Sequence, residues 1–169
     1  GGTELVVAEL GKGLVELGHE VVTFATGDST PSGELRASGE KPCWPPDELA
    51  EERHAAFAFS EIRRRRFDVV HVNHPSAVPF AFSVPIPCAA TIHHERVERL
   101  VEHYRAYPDV EFVAISRRQA DLHPELRFAA VIHHGVDTSL FPYGGGDGGY
   151  VAFLGRLCAA RGAHVATDV

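Results

Sequence analysis

Methionine is absent from the 169 residues, tryptophan occurs once and cysteine only three times. Cys43, Cys88 and Cys158 are far apart, odd in number and form no CxxC pair, which argues against a zinc or redox centre. Inert thiols in a reducing compartment are expected instead. Basic charge is also scarce. Lys and Arg number 16 against 23 Asp and Glu, a formal net charge of −7. No basic field tracks a phosphate backbone, so nucleic acid is not an expected partner. No apolar run approaches the ~20 residues that cross a bilayer, and no charged-then-apolar leader precedes the first helix. A cytoplasmic location is expected, and nothing in the sequence supports membrane association. The sequence also lacks a GxGxxG between a strand and a helix, with an acidic residue ending the next strand, which argues against a dinucleotide oxidoreductase. The chain opens on Gly1-Gly2-Thr3-Glu4 and stops at Val169 within a helix-like stretch, so both ends read as cut.

What is present has the rhythm of an α/β protein. Val6, Val7, Leu10, Leu14 and Leu17 recur at three- and four-residue spacing, which predicts an amphipathic helix over 3–17 with Gly18 as its C-cap glycine. The run Glu20–Thr26 (EVVTFAT) is β-branched and apolar, as in a strand covered on both faces. The Gly-, Ser- and Pro-rich stretch 27–46 reads as a long loop, with Trp44 as a packing anchor or acceptor platform. Asp47 is placed to cap a helix running from Glu48 to about Arg66, with Ala55, Ala56, Phe59 and Ile62 on one side. Three short apolar runs follow, Asp68–Asn73, Cys88–His93 and Glu111–Ser116, each leading into a helix-compatible segment. A fourth, Ala129–His133, leads into Gly-Val-Asp.

Short buried strands alternating with helices predict a Rossmann-like, doubly wound parallel sheet. In such sheets ligands bind beyond the carboxyl ends of the strands. That rule selects Asn73, His74, His93, His94, Ser116 and the stretch His133–Asp137 as the rim of a cleft. After Pro142 and Tyr143 comes GGGDGG (Gly144–Gly149), a flexible tether. Tyr150–Leu154 then reads as a fresh strand ending in Gly155-Arg156. The predicted organisation is therefore a domain over 1–142, a linker over 143–149 and the start of a second domain over 150–169.

Eleven histidines invite a metal reading through His71/His74, His93/His94 and His133/His134. Adjacent side chains on a strand point to opposite faces, so these pairs do not have ligand geometry, and no metal is expected. Arg156 and Arg161 flank the start of a helix, where two cations make an anion site; two solvated arginines are the plainer alternative. Arg63–Arg66 is a cationic run near a helix C-terminus, which the helix dipole explains without any partner. Ser116 is placed as an N-cap, Asp137 as a turn-former, and Glu4 where a helix N-terminus favours negative charge.

Taken in order, the chain has GGTE before a helix ending LGHEV, then DVVH, TIH, VAIS, HHGVD followed by Phe141, and FLGRL before Arg161-Gly162. This series resembles the family-4 retaining glycosyltransferases of the GT-B fold and covers nearly the whole chain. The resemblance implies two Rossmann-like domains across a cleft, of which this chain is the amino-terminal, acceptor-side domain plus the start of the donor-binding one. It implies a hexosyltransferase that uses a nucleotide-diphosphate sugar, with a small-molecule, glycan or lipid-linked acceptor, and no metal or other cofactor. By position, Gly1 and Gly2 match the loop beside the donor diphosphate. His93 matches the histidine that contacts the donor sugar, and Arg156 and Arg161 match the cations that hold the diphosphate. Glu4, Asn73, His94 and His134 fall at the acceptor or cleft rim. His134 stands where the family usually has Asn, and Arg161 where it usually has Lys. The family's first strand and its later acidic motif are missing, so these 169 residues alone are expected to be inactive. A GT-B epimerase or phosphorylase, and a non-catalytic Rossmann-like binding module, are the alternatives.

Overall fold

The structure, a computed structural model, describes residues 2–43, 45, 47–141, 143–150, 152–154 and 162–167. Gly1, Trp44, Arg156 and Arg161 lie outside the described residues. The chain divides into two compact units, 1–135 and 136–169.

In the first unit, α1 (Gly2–Glu16) leads to β1 (Val22–Ala25). Gly18 sits at φ 90°. His19 N–H reaches back to the Leu14 carbonyl at 3.0 Å and Gly18 N–H to that of Val15 at 2.9 Å, the paired bonds of a glycine-terminated helix. Gly11 is the buried position of α1, while Leu5, Leu10 and Leu17 are exposed.

The stretch expected as a long loop contains a strand, β2 (Glu34–Ala37), paired parallel to β1. Its sequence, ELRA, has half its residues charged and shows no apolar alternation. Its pairing comes from a tertiary contact: Glu34 N–H donates to the Val21 carbonyl at 2.9 Å. Gly33 permits that approach, since a Cβ there would lie 2.2 Å from the Val21 carbonyl oxygen.

Asp47 caps α2 (Glu48–Arg64), its carboxylate accepting from Leu49 N–H at 2.9 Å and Ala50 N–H at 3.3 Å. Ala55, Ala58, Phe59 and Ile62 form its buried stripe. Ala58 rather than Ala56 completes it, because positions three and four apart share a face. Within the expected cationic run, Arg64 donates to Ser60 and Glu61, and Arg65 holds both carboxylate oxygens of Glu34 at 2.7 Å.

The main sheet is wholly parallel, in the order β3 (Val70–Val72), β4 (Cys88–Ile92), β5 (Glu111–Ala114), β6 (Phe128–Val131). A 3-10 segment, Pro75–Ser83, connects β3 to β4. Helix α3 (Glu98–Arg105) connects β4 to β5, and α4 (Arg117–Asp121) connects β5 to β6. A register shift beside Phe112/Val113 passes over Ala129 on β6. The core gathers Phe59 and Ile62 of α2, Val78 and Ala81 of the 3-10 segment, Ala90 and Ile92 of β4, Tyr104 of α3 and Phe112 of β5.

In the second unit, Asp137 accepts from Ser139 N–H at 2.9 Å and orders the turn Thr138–Leu140. The run expected as a strand over 150–154 has no regular structure at Tyr150 or at 152–154, and Leu154 is 94 % exposed. An apolar run becomes a strand only when a neighbour pairs its backbone, and no strand of this unit does so among the described residues. Further along, Ala163–Thr167 form a short helix, α5.

Candidate functional site

Because β3, β4, β5 and β6 run parallel, their carboxyl ends share one edge of the sheet. On β4 the burial alternates, with Cys88, Ala90 and Ile92 facing the core and Ala89 and Thr91 facing away from it. The period of two places His93 on the face of Thr91. The neighbouring strand matches it: His71 Nε2 lies 2.8 Å from Thr91 Oγ1, and Asn73 Oδ1 lies 2.9 Å from His93 Nε2. Two cross-strand pairs thus form a polar ladder at the sheet's carboxyl edge.

His134, beyond the end of β6, completes the group. Its ring stacks on that of His93 at 5.2 Å between centroids and 18° between planes, with His134 Nε2 3.4 Å from His93 Nδ1. Burial pushes the His93 imidazole down to about 4 from its ordinary 6.5, with further repulsion from His134, His71 and His94. His71 is also lowered, by burial. At neutral pH His93 is an uncharged ring. It can accept or donate a hydrogen bond but is not a reservoir of acid.

His94 turns to the other face. Its Nδ1–H donates to the Glu95 carbonyl at 2.6 Å, and its Nε2 accepts from the Tyr104 hydroxyl at 2.6 Å. The two rings stack at 5.7 Å, so His94 fastens the loop after β4 onto α3. Ser116 caps α4, accepting from Gln119 N–H at 3.0 Å. His74 caps the 3-10 segment and lies 3.5 Å from Glu51. Gly2 and Glu4 occupy the first turn of α1, and nothing lies within 4 Å of where a Cβ on Gly2 would sit. No group of three or more His, Cys, Asp or Glu side chains has metal-binding proximity among the described residues.

Gln119 is a residue that the sequence reading missed. This side chain is 7 % exposed and makes three bonds. Its Oε1 accepts from Ile115 N–H at 2.8 Å, and its Nε2 donates to the carbonyls of Ile92 at 3.0 Å and His94 at 2.9 Å. The legible signal was the spacing Ser116-x-x-Gln119, the pattern in which a glutamine at the third helical position serves its own helix start. Thr91 stands inside the TIH run, but nothing local points to its partner, His71.

A wholly parallel sheet whose strands are joined by helical crossovers defines a Rossmann-like domain. The chain matches glycosyltransferase family 4 over residues 1–140, and it belongs to that family. It is therefore a glycosyltransferase with a parallel α/β fold. No curated protein matches it. No helix among the described residues is long and apolar enough to cross a membrane.

Proposed function

We propose that the protein is a retaining hexosyltransferase that moves a sugar from a nucleotide-diphosphate donor to a small-molecule, glycan or lipid-linked acceptor, without a metal ion. The observation that carries this reading is the convergence of His93, Asn73 and His134 at the sheet's carboxyl edge in a chain of glycosyltransferase family 4. His93 contacts the donor sugar near the reacting carbon. Gly1 and Gly2 let the donor diphosphate approach the backbone, since no side chain intervenes. As the glycosidic carbon leaves the phosphate, negative charge grows on the leaving group. Arg156 and Arg161 stabilise that charge, so departure needs no proton from the protein. A neutral His93 fits this scheme, because it is not called on as an acid. The acceptor hydroxyl attacks on the face from which the diphosphate departs and passes its proton to the departing phosphate oxygen, so the new glycosidic bond forms as the old one breaks and the configuration is retained.

The test is thermal unfolding of the protein expressed from its complete reading frame, against UDP, GDP, dTDP and ADP without added metal. One nucleotide should raise the midpoint, and Arg156→Ala should remove the shift; saturation at a hundredfold over Kd corresponds to about 2.7 kcal/mol. Stabilisation by none of the four, or only after zinc is added, overturns the reading.

A further inference from the structure

His93 is held at more points than a surface histidine needs. Gln119 Nε2 donates to the main-chain carbonyls immediately before and after it, those of Ile92 and His94. The same side chain accepts from Ile115 N–H, so its amide orientation follows from the donors and acceptors around it. Ile92 is the last residue of β4 and His94 lies just beyond it, so one buried amide serves the carbonyls on either side of the strand's end. Gln119 thereby ties the turn carrying His93 to the end of β5.

The ring is fixed separately. Asn73 Nδ2 faces the carbonyl of His71 at 3.5 Å, which turns its Oδ1 toward His93. An amide oxygen only accepts, so His93 Nε2 carries the hydrogen. In a neutral ring Nδ1 is then the lone pair, and His134 Nε2–H is the donor that meets it at 3.4 Å, a long bond. His134 is exposed, so another donor can take its place.

We propose that Asn73 and Gln119 are the positioning residues for His93: Gln119 sets its main chain, and Asn73 sets its ring as the Nε2–H tautomer, so that Nδ1 accepts a hydrogen bond from a hydroxyl of the donor sugar. This rests on His93 being the donor-sugar contact. The arrangement assigns the histidine a polarity, as an acceptor toward the sugar, and makes His134 the group that a sugar hydroxyl displaces.

Protein labelled with 15N in its histidines, read by NMR across pH, tests the positioning without any assay of transfer. In the unaltered protein His93 should show the Nε2–H tautomer at pH 7 and take up its second proton far below 6.5. The titratable groups that act on it are His134, His71 and His94. Asn73→Asp sets a carboxylate against Nε2–H, and the protonation midpoint should rise toward or past 6.5. Asn73→Leu should relax the ring to a mixture of tautomers. His134→Ala should leave the tautomer as it is. Gln119→Glu keeps the acceptor but loses both donors, and should lower kcat on the order of 10- to 100-fold while the tautomer persists. Gln119→Met supplies a second reading if the glutamate variant does not fold. An Nδ1–H tautomer in the unaltered protein, or a His93 titration that ignores both Asn73 variants, overturns the positioning by Asn73. Full kcat in both Gln119 variants overturns that by Gln119. Absence of transfer in the unaltered protein, with the NMR results as expected, would sink the transferase reading and leave the ring's positioning intact.

Discussion

The two parallel sheets of the first unit are built on different chemistry. The four-stranded sheet contributes Val72, Ala90, Ile92, Phe112 and Ala114 to the core, each 4 % exposed or less. In the two-stranded sheet none of the four residues of β1 is fully buried, and β1 reaches the core through Phe24 alone. Apart from the edge-on contact of Phe24 with Phe57, that sheet is tied to α2 by polar groups. Arg36 pairs with Glu61, Arg65 grips Glu34 from the helix end, and His54 lies 2.9 Å from Ser38 and 3.3 Å from the Phe24 carbonyl. The polar ladder stands on the sheet that buries one face fully, on the side opposite that core. A site that must hold a ring in one tautomer needs strands that do not shift, and close-packed apolar layers supply that rigidity better than exposed ion pairs do.

The sharpest way to break the contrast is to hollow the main sheet. Phe112 is 3 % exposed and its ring meets Tyr104 at 5.2 Å, the same Tyr104 that fastens His94. Phe112→Ala should cost about 3–5 kcal/mol, read as a lower urea midpoint at an unchanged slope. A loss under about 1 kcal/mol would show that this layer is not where the stability lies.

Next in size is Gly33→Ala, which places a Cβ 2.2 Å from the Val21 carbonyl oxygen and forces β2 away from β1. The expected loss is about 1–3 kcal/mol, as for other overpacked sites. Hydrogen exchange should localise it. The Glu34 amide, bonded to Val21, should exchange faster, while amides of β4 and β5 keep their protection. Equal acceleration in both sheets would mean that they open as one unit and that their difference in burial has no energetic counterpart.

The same difference between the sheets governs which features are legible in the amino-acid sequence. The strands of the main sheet announce themselves as apolar runs, and the polar residues ending them, Asn73 and His93, are the ones brought within 2.9 Å. Helix ends are legible because they are local: Gly18, Asp47 and Ser116 act within a few residues of themselves. Strand β2 is not legible, because ELRA carries no pattern of its own and becomes a strand by pairing with β1. Gln119 is hidden for a similar reason. Its acceptors, at the end of β4 and just beyond it, lie 27 and 25 residues away along the chain, and only the pairing of β4 with β5 makes a helix-start glutamine their donor. Local chemistry is written in the sequence, whereas contacts between elements arise only once the strands pack.

The smallest effect belongs to the ion pairs, and it tests the contrast most directly. The Arg65 guanidinium holds the Glu34 carboxyl below its ordinary 4.5, and that of Arg36 does the same for Glu61. A carboxyl lowered in the folded state contributes stability that is complete above 4.5 and is lost as pH falls below it. A double-mutant cycle over Arg36→Ala and Glu61→Ala should therefore give a favourable coupling at neutral pH and low salt. The coupling should be weaker than either effect above, should shrink when salt screens the half-exposed Arg36, and should vanish once acid protonates Glu61. Hydrogen exchange should place the loss in β1 and β2 and leave Asn73 and His93 undisturbed. A coupling that survives high salt would instead mean that the pair is desolvated, and that the small sheet is held as firmly as the sheet bearing the site.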